Sequence, residues 1–342
     1  MTHTVQDNRL PCVQAWIETL ADKYAICPDS LRPASADASF RRYFRVETQN
    51  EGSLIVMDAP PAQESIDSFV QVDGLMKDAG LRVPALLEVD KDQGLILMED
   101  LGKQTYLDVL TEENAAKLMD MATTELVKWQ LASKPGILPE YNDVVLRREL
   151  DLFPEWYVSR HRGFNMNDMQ RKIIQKTFDK LVAQNLSQSR VFVHRDFMPR
   201  NLMAPVGDQA PGILDFQDAL YGPVSYDIAS LLRDAFISWG ESFVLDVTIR
   251  YWEKARRAGL PVPQDFGEFW KDVEWMGMQR HLKVLGIFAR INYRDGKPKY
   301  LEDTPRFLHY VRQTANRYDE LKPINWLLDH FEEVKSKGAY TF

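Results

Sequence analysis

Cysteine is nearly absent. Cys12 and Cys27 are the only two in 342 residues, and their spacing fits neither a zinc site nor a disulfide framework, so a reducing, cytoplasmic setting is expected. No apolar run approaches the ~18 residues that cross a bilayer. Charged and polar residues recur over positions 1–20, so no secretory leader is expected. Gly102-Lys103 lacks the upstream glycine of a P-loop, neither G-x-S-x-G nor H-E-x-x-H occurs, and the six histidines show no metal-ligand spacing. A cationic surplus is missing too. The 42 basic residues face 50 acidic ones, a formal charge of −8, which argues against nucleic acid or an anionic membrane as the main partner.

What is present suits a globular chain with room for two lobes: 45% hydrophobic and 27% charged residues. Residues 11–27 read as an amphipathic helix that stops near Pro28. Arg42 to Glu47 alternates, Phe44 and Val46 against Tyr43 and Arg45, as a half-buried strand does. Leu54–Met57 reads as a second strand, ended by Pro60-Pro61. A helix over 64–79 with Gly80 as its cap follows, then a strand at Leu95–Met98. From about residue 112 helical spacing takes over, at 113–131, 148–160, 168–184, 225–239, 242–258, 268–290 and 304–320. Two short strand signals interrupt it, Val191–Val193 and Gly212–Leu214. The expected fold class is α+β, with a small β-rich lobe over residues 1–100 and a larger, mostly helical lobe over 101–342.

The chemistry concentrates in Val193-His194-Arg195-Asp196 with Asn201, followed by Gly212-Ile-Leu-Asp215. Asn201–Ala204 and Gly212–Asp215 flank a turn-rich stretch, and pairing them as a hairpin brings Asn201 and Asp215 side by side at its open end. A carboxylate and an amide oxygen suit Mg²⁺, which takes few protein ligands and completes its shell with phosphates and water. Asp196 leads into the same end, placed to accept a proton from a substrate hydroxyl.

His-Arg-Asp, four residues, Asn, and a later metal-binding Asp form the catalytic-loop pattern of kinases. On these residues the chain resembles the aminoglycoside phosphotransferase-like superfamily over roughly residues 35–310. That resemblance implies a bilobal, protein-kinase-like fold, ATP and Mg²⁺ as cofactors, and transfer to a small hydroxylated acceptor. Asp227, in Tyr226-Asp227-Ile-Ala, resembles the family aspartate that opens a helix and steadies the metal loop. The segments Ala38–Arg45, Val56–Pro61, Leu150–Tyr157 and Gln279–Arg290 resemble the family's kinases of cell-wall amino sugars. They imply phosphorylation of the anomeric hydroxyl of N-acetylmuramate and N-acetylglucosamine in peptidoglycan recycling. A monomer is expected.

Two features of kinases are missing. The loop Ser35–Phe40 has no glycine, although Ser39 offers a hydroxyl or N–H to a phosphate. The strand lysine is absent, with Met57 or Asp58 about where it belongs. Arg41, Arg42 or Arg45 is left to face the phosphates, Arg45 preferred. Glu64 either orients that arginine or is a solvated acid near a helix start. Glu99 and Leu101 match the segment whose backbone pairs with adenine, or belong to an edge strand entering a loop.

Other residues carry two readings each. His194 is read as structural. Arg195 contacts the γ-phosphate or the sugar, or pairs with an acid. Trp156 is core or a wall for a sugar ring, and Glu149 binds a sugar hydroxyl or pairs with a base. Arg280 holds a substrate carboxylate or belongs to a buried ion pair. Only eleven residues separate Asp215 from Asp227 and no Ala-Pro-Glu follows, which leaves little room for a protein kinase's activation segment. An aminoglycoside or choline-type acceptor, and a non-catalytic nucleotide-binding module, stay as alternatives.

Overall fold

The apolar stripe after Arg9 folds as α1 (Leu10–Tyr24), with a proline in its first turn where no intrahelical N–H is needed. It buries Val13 and Ile17 and ends at Ala25 in a left-handed conformation. The structure is a computed structural model that describes residues 9–34, 41–207 and 209–337, the side chains of 333–337 excepted.

Strands β1 (Arg32–Pro33), β2 (Arg42–Glu47) and β3 (Ser53–Asp58) precede α2 (Asp67–Asp78), β4 (Leu86–Asp90) and β5 (Leu95–Glu99). They form one antiparallel sheet in the order β1-β2-β3-β5-β4. Phe44 pairs with Val56, and Val56 with Leu97. Those three residues therefore share a face, and they pack in one core with Val13 and Ile17 of α1.

After Thr105 the chain becomes helical: α3 (Tyr106–Val109), α4 (Ala115–Leu131), α5 (Asp143–Leu150), a π-helix over Phe153–His161, and α6 (Asp168–Ser187). Strand β6 (Arg190–Val193) and the short β7 (Leu202–Met203) and β8 (Gly212–Ile213) follow, then β9 (Leu220–Pro223) and α7 (Tyr226–Leu232). The chain closes with α8 (Glu241–Arg257), α9 (Phe266–Asp295), α10 (Thr304–Arg317) and α11 (Pro323–Lys337). The 30-residue α9 is the spine of this part, packed by α5, α6, α7, α10 and the π-helix. Gly286 permits the last contact, because a Cβ there would stand 2.4 Å from the Leu152 carbonyl. No described helix is long and apolar enough to cross a membrane.

Two compact units result: Met1–Thr105 with Met203–Asp218, and Tyr106–Leu202 with Ala219–Phe342. The expected division at 100/101 thus moves to 105/106, and the hairpin that carries Asp215 groups with the sheet. Backbone pairing is the reason. Thr105 bridges Met203, Ala204 N–H donates to Gln104 C=O at 2.8 Å, and Ile213 N–H donates to Arg82 C=O at 2.8 Å. The expected helix at 148–160 is two elements, since Pro154 supplies no N–H and the following turns widen to π.

Candidate active site

In the helical unit, β6 pairs with β9 and ends at Val193. The next peptide units are held by a single buried carboxylate. Asp227, in the first turn of α7, accepts His194 N–H at 2.7 Å and Arg195 N–H at 3.0 Å. Burial pushes the Asp227 carboxyl up to about 7, against the pull of those two amides. Arg195 has φ 76, a left-handed conformation that costs a non-glycine residue about 1–2 kcal/mol. His194 serves the backbone: its Nδ1 accepts the Asp196 N–H at 3.3 Å.

Asn201 closes a short 3₁₀ turn and donates from Nδ2 to the Asp196 C=O at 2.9 Å. Of its two amide atoms, the oxygen is the one a cation would take. Asp196 is 37% exposed at its side chain, and Arg280 Nη2 stands 3.6 Å from its Oδ1. Partial burial works against the charge, but Arg280, Lys283 and Arg195 outweigh it and hold the carboxyl below its usual range. Asp196 is therefore ionised at neutral pH and able to accept a proton.

Beside this loop Glu149 of α5 is almost completely buried. Its Oε1 accepts from Arg195 Nη2 at 2.6 Å and Lys283 Nζ at 2.8 Å, and its Oε2 from Gln279 at 3.1 Å and the Tyr141 hydroxyl. Both oxygens serve protein donors, which makes Glu149 the anion that organises Arg195 and Lys283. Burial alone would raise it, but Lys283 and Arg195 prevail and hold it at about 2, from an ordinary 4.5. Its contribution to stability is whole above pH 4.5 and is lost as pH falls toward 2, roughly 3 kcal/mol in all. Glu149→Gln is expected to lower stability at neutral pH and flatten this acid loss, as read by denaturant melts between about pH 6 and 2.5. An acid slope equal to that of the wild type contradicts the assignment.

Apart from Trp156, the other expected site residues that the structure describes lie in the sheet-bearing unit. Asp215 follows β8 with φ 62, and Gln217 Nε2 donates to its Oδ1 at 2.8 Å. Phe216 anchors the turn, its ring 4.8 Å from that of Phe69. Gly212 suits this close approach, because a Cβ would meet Leu101 Cδ1 at 2.7 Å and Met203 Cβ at 3.2 Å. Leu101 is buried in that contact. Glu99 is fixed through Ala85, donating its amide at 2.9 Å and accepting the Ala85 amide on its carboxylate at 3.2 Å.

Arg45 forks onto Asp100, Nε at 2.5 Å and Nη2 at 3.0 Å, and reaches the Gly102 carbonyl at 2.9 Å. It therefore ties β2 to the segment after β5. Glu64 pairs with Arg41 at 3.2 Å rather than with Arg45, whose guanidinium Asp100 already takes. At the place expected for lysine, Asp58 is buried and braced by Arg9 and Arg42. Ser39 lies outside the described residues. Trp156 stands on the π-helix with the Arg160 guanidinium 4.5 Å over its ring.

The sequence matches the phosphotransferase enzyme family (APH) over residues 30–261. The chain belongs to that family. The phosphotransferase is 50% identical to the N-acetylmuramate/N-acetylglucosamine kinase of Neisseria meningitidis serogroup B, over 92% of this chain and 93% of the relative. It is 47% identical to the protein of that name from Pseudomonas aeruginosa, over 94% and 96%. Among solved structures it is similar to an amicoumacin kinase in complex with AMP-PNP, Ca²⁺ and Ami, with a TM-score of 0.60 at 15% identity over 88% and 94% of the two chains. The fold is thus that of the kinases, and the chain is a phosphotransferase enzyme.

Sequence reasoning passed over four members of the phosphotransferase's buried network: Tyr141, Tyr226, Gln279 and Lys283. The available signal was in α9, where Gln279, Arg280 and Lys283 interrupt an apolar run on adjoining faces. Charges inside such a run need partners. Among the described residues no cluster of three His, Cys, Asp or Glu side chains forms a metal cage. Asn201 of the helical unit and Asp215 of the sheet-bearing unit each offer a hard oxygen of the kind that Mg²⁺ takes.

Proposed function

We propose that this phosphotransferase is an ATP-dependent, Mg²⁺-requiring kinase that phosphorylates the anomeric hydroxyl of N-acetylmuramate and N-acetylglucosamine, in peptidoglycan recycling. The observation that carries the acceptor is the 50% identity over 92% of the chain to a kinase of that name.

Asp196 is the base in this reading. It accepts a hydrogen bond from the O1 hydroxyl, orients that oxygen toward the γ-phosphorus, and takes the proton as the phosphoryl group moves. An anomeric hydroxyl is more acidic than an ordinary alcohol, because the ring oxygen stabilises its anion. A carboxylate held low by Arg280 is therefore basic enough. Asn201 and Asp215 would hold the magnesium ion, which when bound neutralises charge on the phosphates. Adenine pairs with the backbone at Glu99 and Leu101, using the Glu99 carbonyl since its amide is bonded to Ala85. Of the arginines on β2 and just before it, Arg41, paired with Glu64, is better placed for phosphate than Arg45, which Asp100 and Gly102 hold.

A cationic acceptor such as choline or an aminoglycoside is disfavoured by charge. Arg195, Arg280 and Lys283 surround Asp196, and Glu149 is already spent on two of them. ADP release is expected with either amino sugar, and only when Mg²⁺ and the sugar are both present. Release driven by choline or an aminoglycoside, with none from the amino sugars, would overturn the acceptor assignment. No release with any acceptor would favour a non-catalytic module.

A further inference from the structure

Arg280 lies on α9 and is 5% exposed. A buried guanidinium persists where its donors are matched, and here two of the three partners belong to the loop that carries Asp196. Nη1 donates to the Arg195 carbonyl at 2.8 Å and to the Tyr226 hydroxyl at 3.0 Å. Nη2 forms the 3.6 Å ion pair with Asp196 Oδ1. Lys283 Nζ donates to the same Tyr226 oxygen at 3.2 Å, which fixes the hydroxyl between the two cations.

We infer that Arg280 is a positioning residue for the transfer step, holding Asp196 in place, and is not the ligand of an acceptor carboxylate. The peptide unit between Arg195 and Asp196 is gripped on both edges: its C=O by Arg280 and its N–H by His194 Nδ1. That grip sets the direction in which the Asp196 side chain leaves the backbone, next to a residue at φ 76 that does not hold this turn unaided. The ion pair adds a second constraint of a different kind. At 3.6 Å it is longer than a hydrogen bond, so it fixes charge without taking the lone pairs that a substrate hydroxyl needs. Among the described residues no hydrogen bond is made to either Asp196 carboxylate oxygen.

The choice of substrates for the test rests on the proposed acceptors, and the two ideas separate as follows. Arg280→Met is expected to lower kcat about 100-fold for both sugars, the cost of a misplaced catalytic group. KM for each sugar should stay within about threefold, and the ratio of kcat/KM for N-acetylmuramate over N-acetylglucosamine should not change. Arg280→Lys keeps the charge and loses the fork, and is expected to recover about tenfold in kcat. A rise of about 30-fold in KM confined to N-acetylmuramate, with kcat kept, overturns the inference and makes Arg280 a carboxylate ligand. Wild-type kcat in either variant also overturns it. Should Arg280→Met fail to fold, Arg280→Lys decides alone: reduced kcat at unchanged ATP affinity supports the inference, and unchanged kcat rejects it. Hydrolysis of MgATP without sugar, the same transfer to water, is measured in parallel. A wild type that accepts neither sugar then counts against the acceptor, while the loss of hydrolysis in the variants still reports on Arg280.

Discussion

Asp196→Asn is expected to cut kcat by about 10³-fold while ATP affinity stays within about threefold. The amide keeps the shape of the carboxylate and still hydrogen-bonds a hydroxyl, but it cannot take a proton, and general-base catalysis is typically worth 10²–10⁴. The substitution also removes the anion nearest to Arg280, and breaking a buried charge pair from one side costs about 3–5 kcal/mol when both partners are fully desolvated. Because the Asp196 side chain is partly exposed, the cost here belongs below that range. A modest drop in melting temperature should therefore accompany the loss of turnover. Single-turnover measurement with saturating sugar separates the two effects, since it counts only folded enzyme that has bound both substrates. Recovery of wild-type turnover in Asp196→Asn would reject Asp196 as the base.

The second large effect concerns nucleotide binding. Asp215→Ala is expected to abolish the gain in ATP affinity that Mg²⁺ provides, a loss of about 100-fold read by calorimetry with and without the metal, as for a charged bond of roughly 3 kcal/mol. Alanine carries a complication at this position. Asp215 has φ 62, and a left-handed alanine costs about 1–2 kcal/mol where aspartate and asparagine adopt the conformation more readily. Asp215→Asn is the cleaner probe, because it keeps the turn and the Gln217 contact while removing one charge. Both variants should bind metal-free ATP like the wild type. If Mg²⁺ still tightens ATP binding in Asp215→Asn by the wild-type factor, another group holds the ion.

The proposed catalytic residues were legible because they lie close along the chain. Asp196 and Asn201 flank one short loop, and Asp215 follows the partner strand of the β7–β8 pair. The fold class was legible for a related reason: alternation in β2 and long 3.6-residue spacing in α4, α6 and α9 are local signals. What stayed hidden depends on distance along the chain. Glu149 meets Lys283 across 134 residues, and Arg45 meets Asp100 across 55. A charged residue in a sequence names the type of partner it needs, never which one. Glu149 therefore read as a sugar ligand or an ion-pair partner, and Arg45 as the preferred phosphate ligand, whereas in the structure Glu149 pairs with Arg195 and Lys283 and Arg45 with Asp100. Elements that lean on neighbours were missed for the same reason. The two-residue β1 and the short β9 carry too few positions to show a period. The π-helix cannot be told from an α-helix by apolar spacing over nine residues.

Phosphorus NMR of the product formed from ATP and N-acetylglucosamine labelled with ¹³C at its anomeric carbon puts the whole account to its hardest trial. One new phosphomonoester resonance, split by coupling to the labelled carbon, is the predicted outcome. A phosphorus signal without that splitting would place the group on another hydroxyl and contradict transfer to O1.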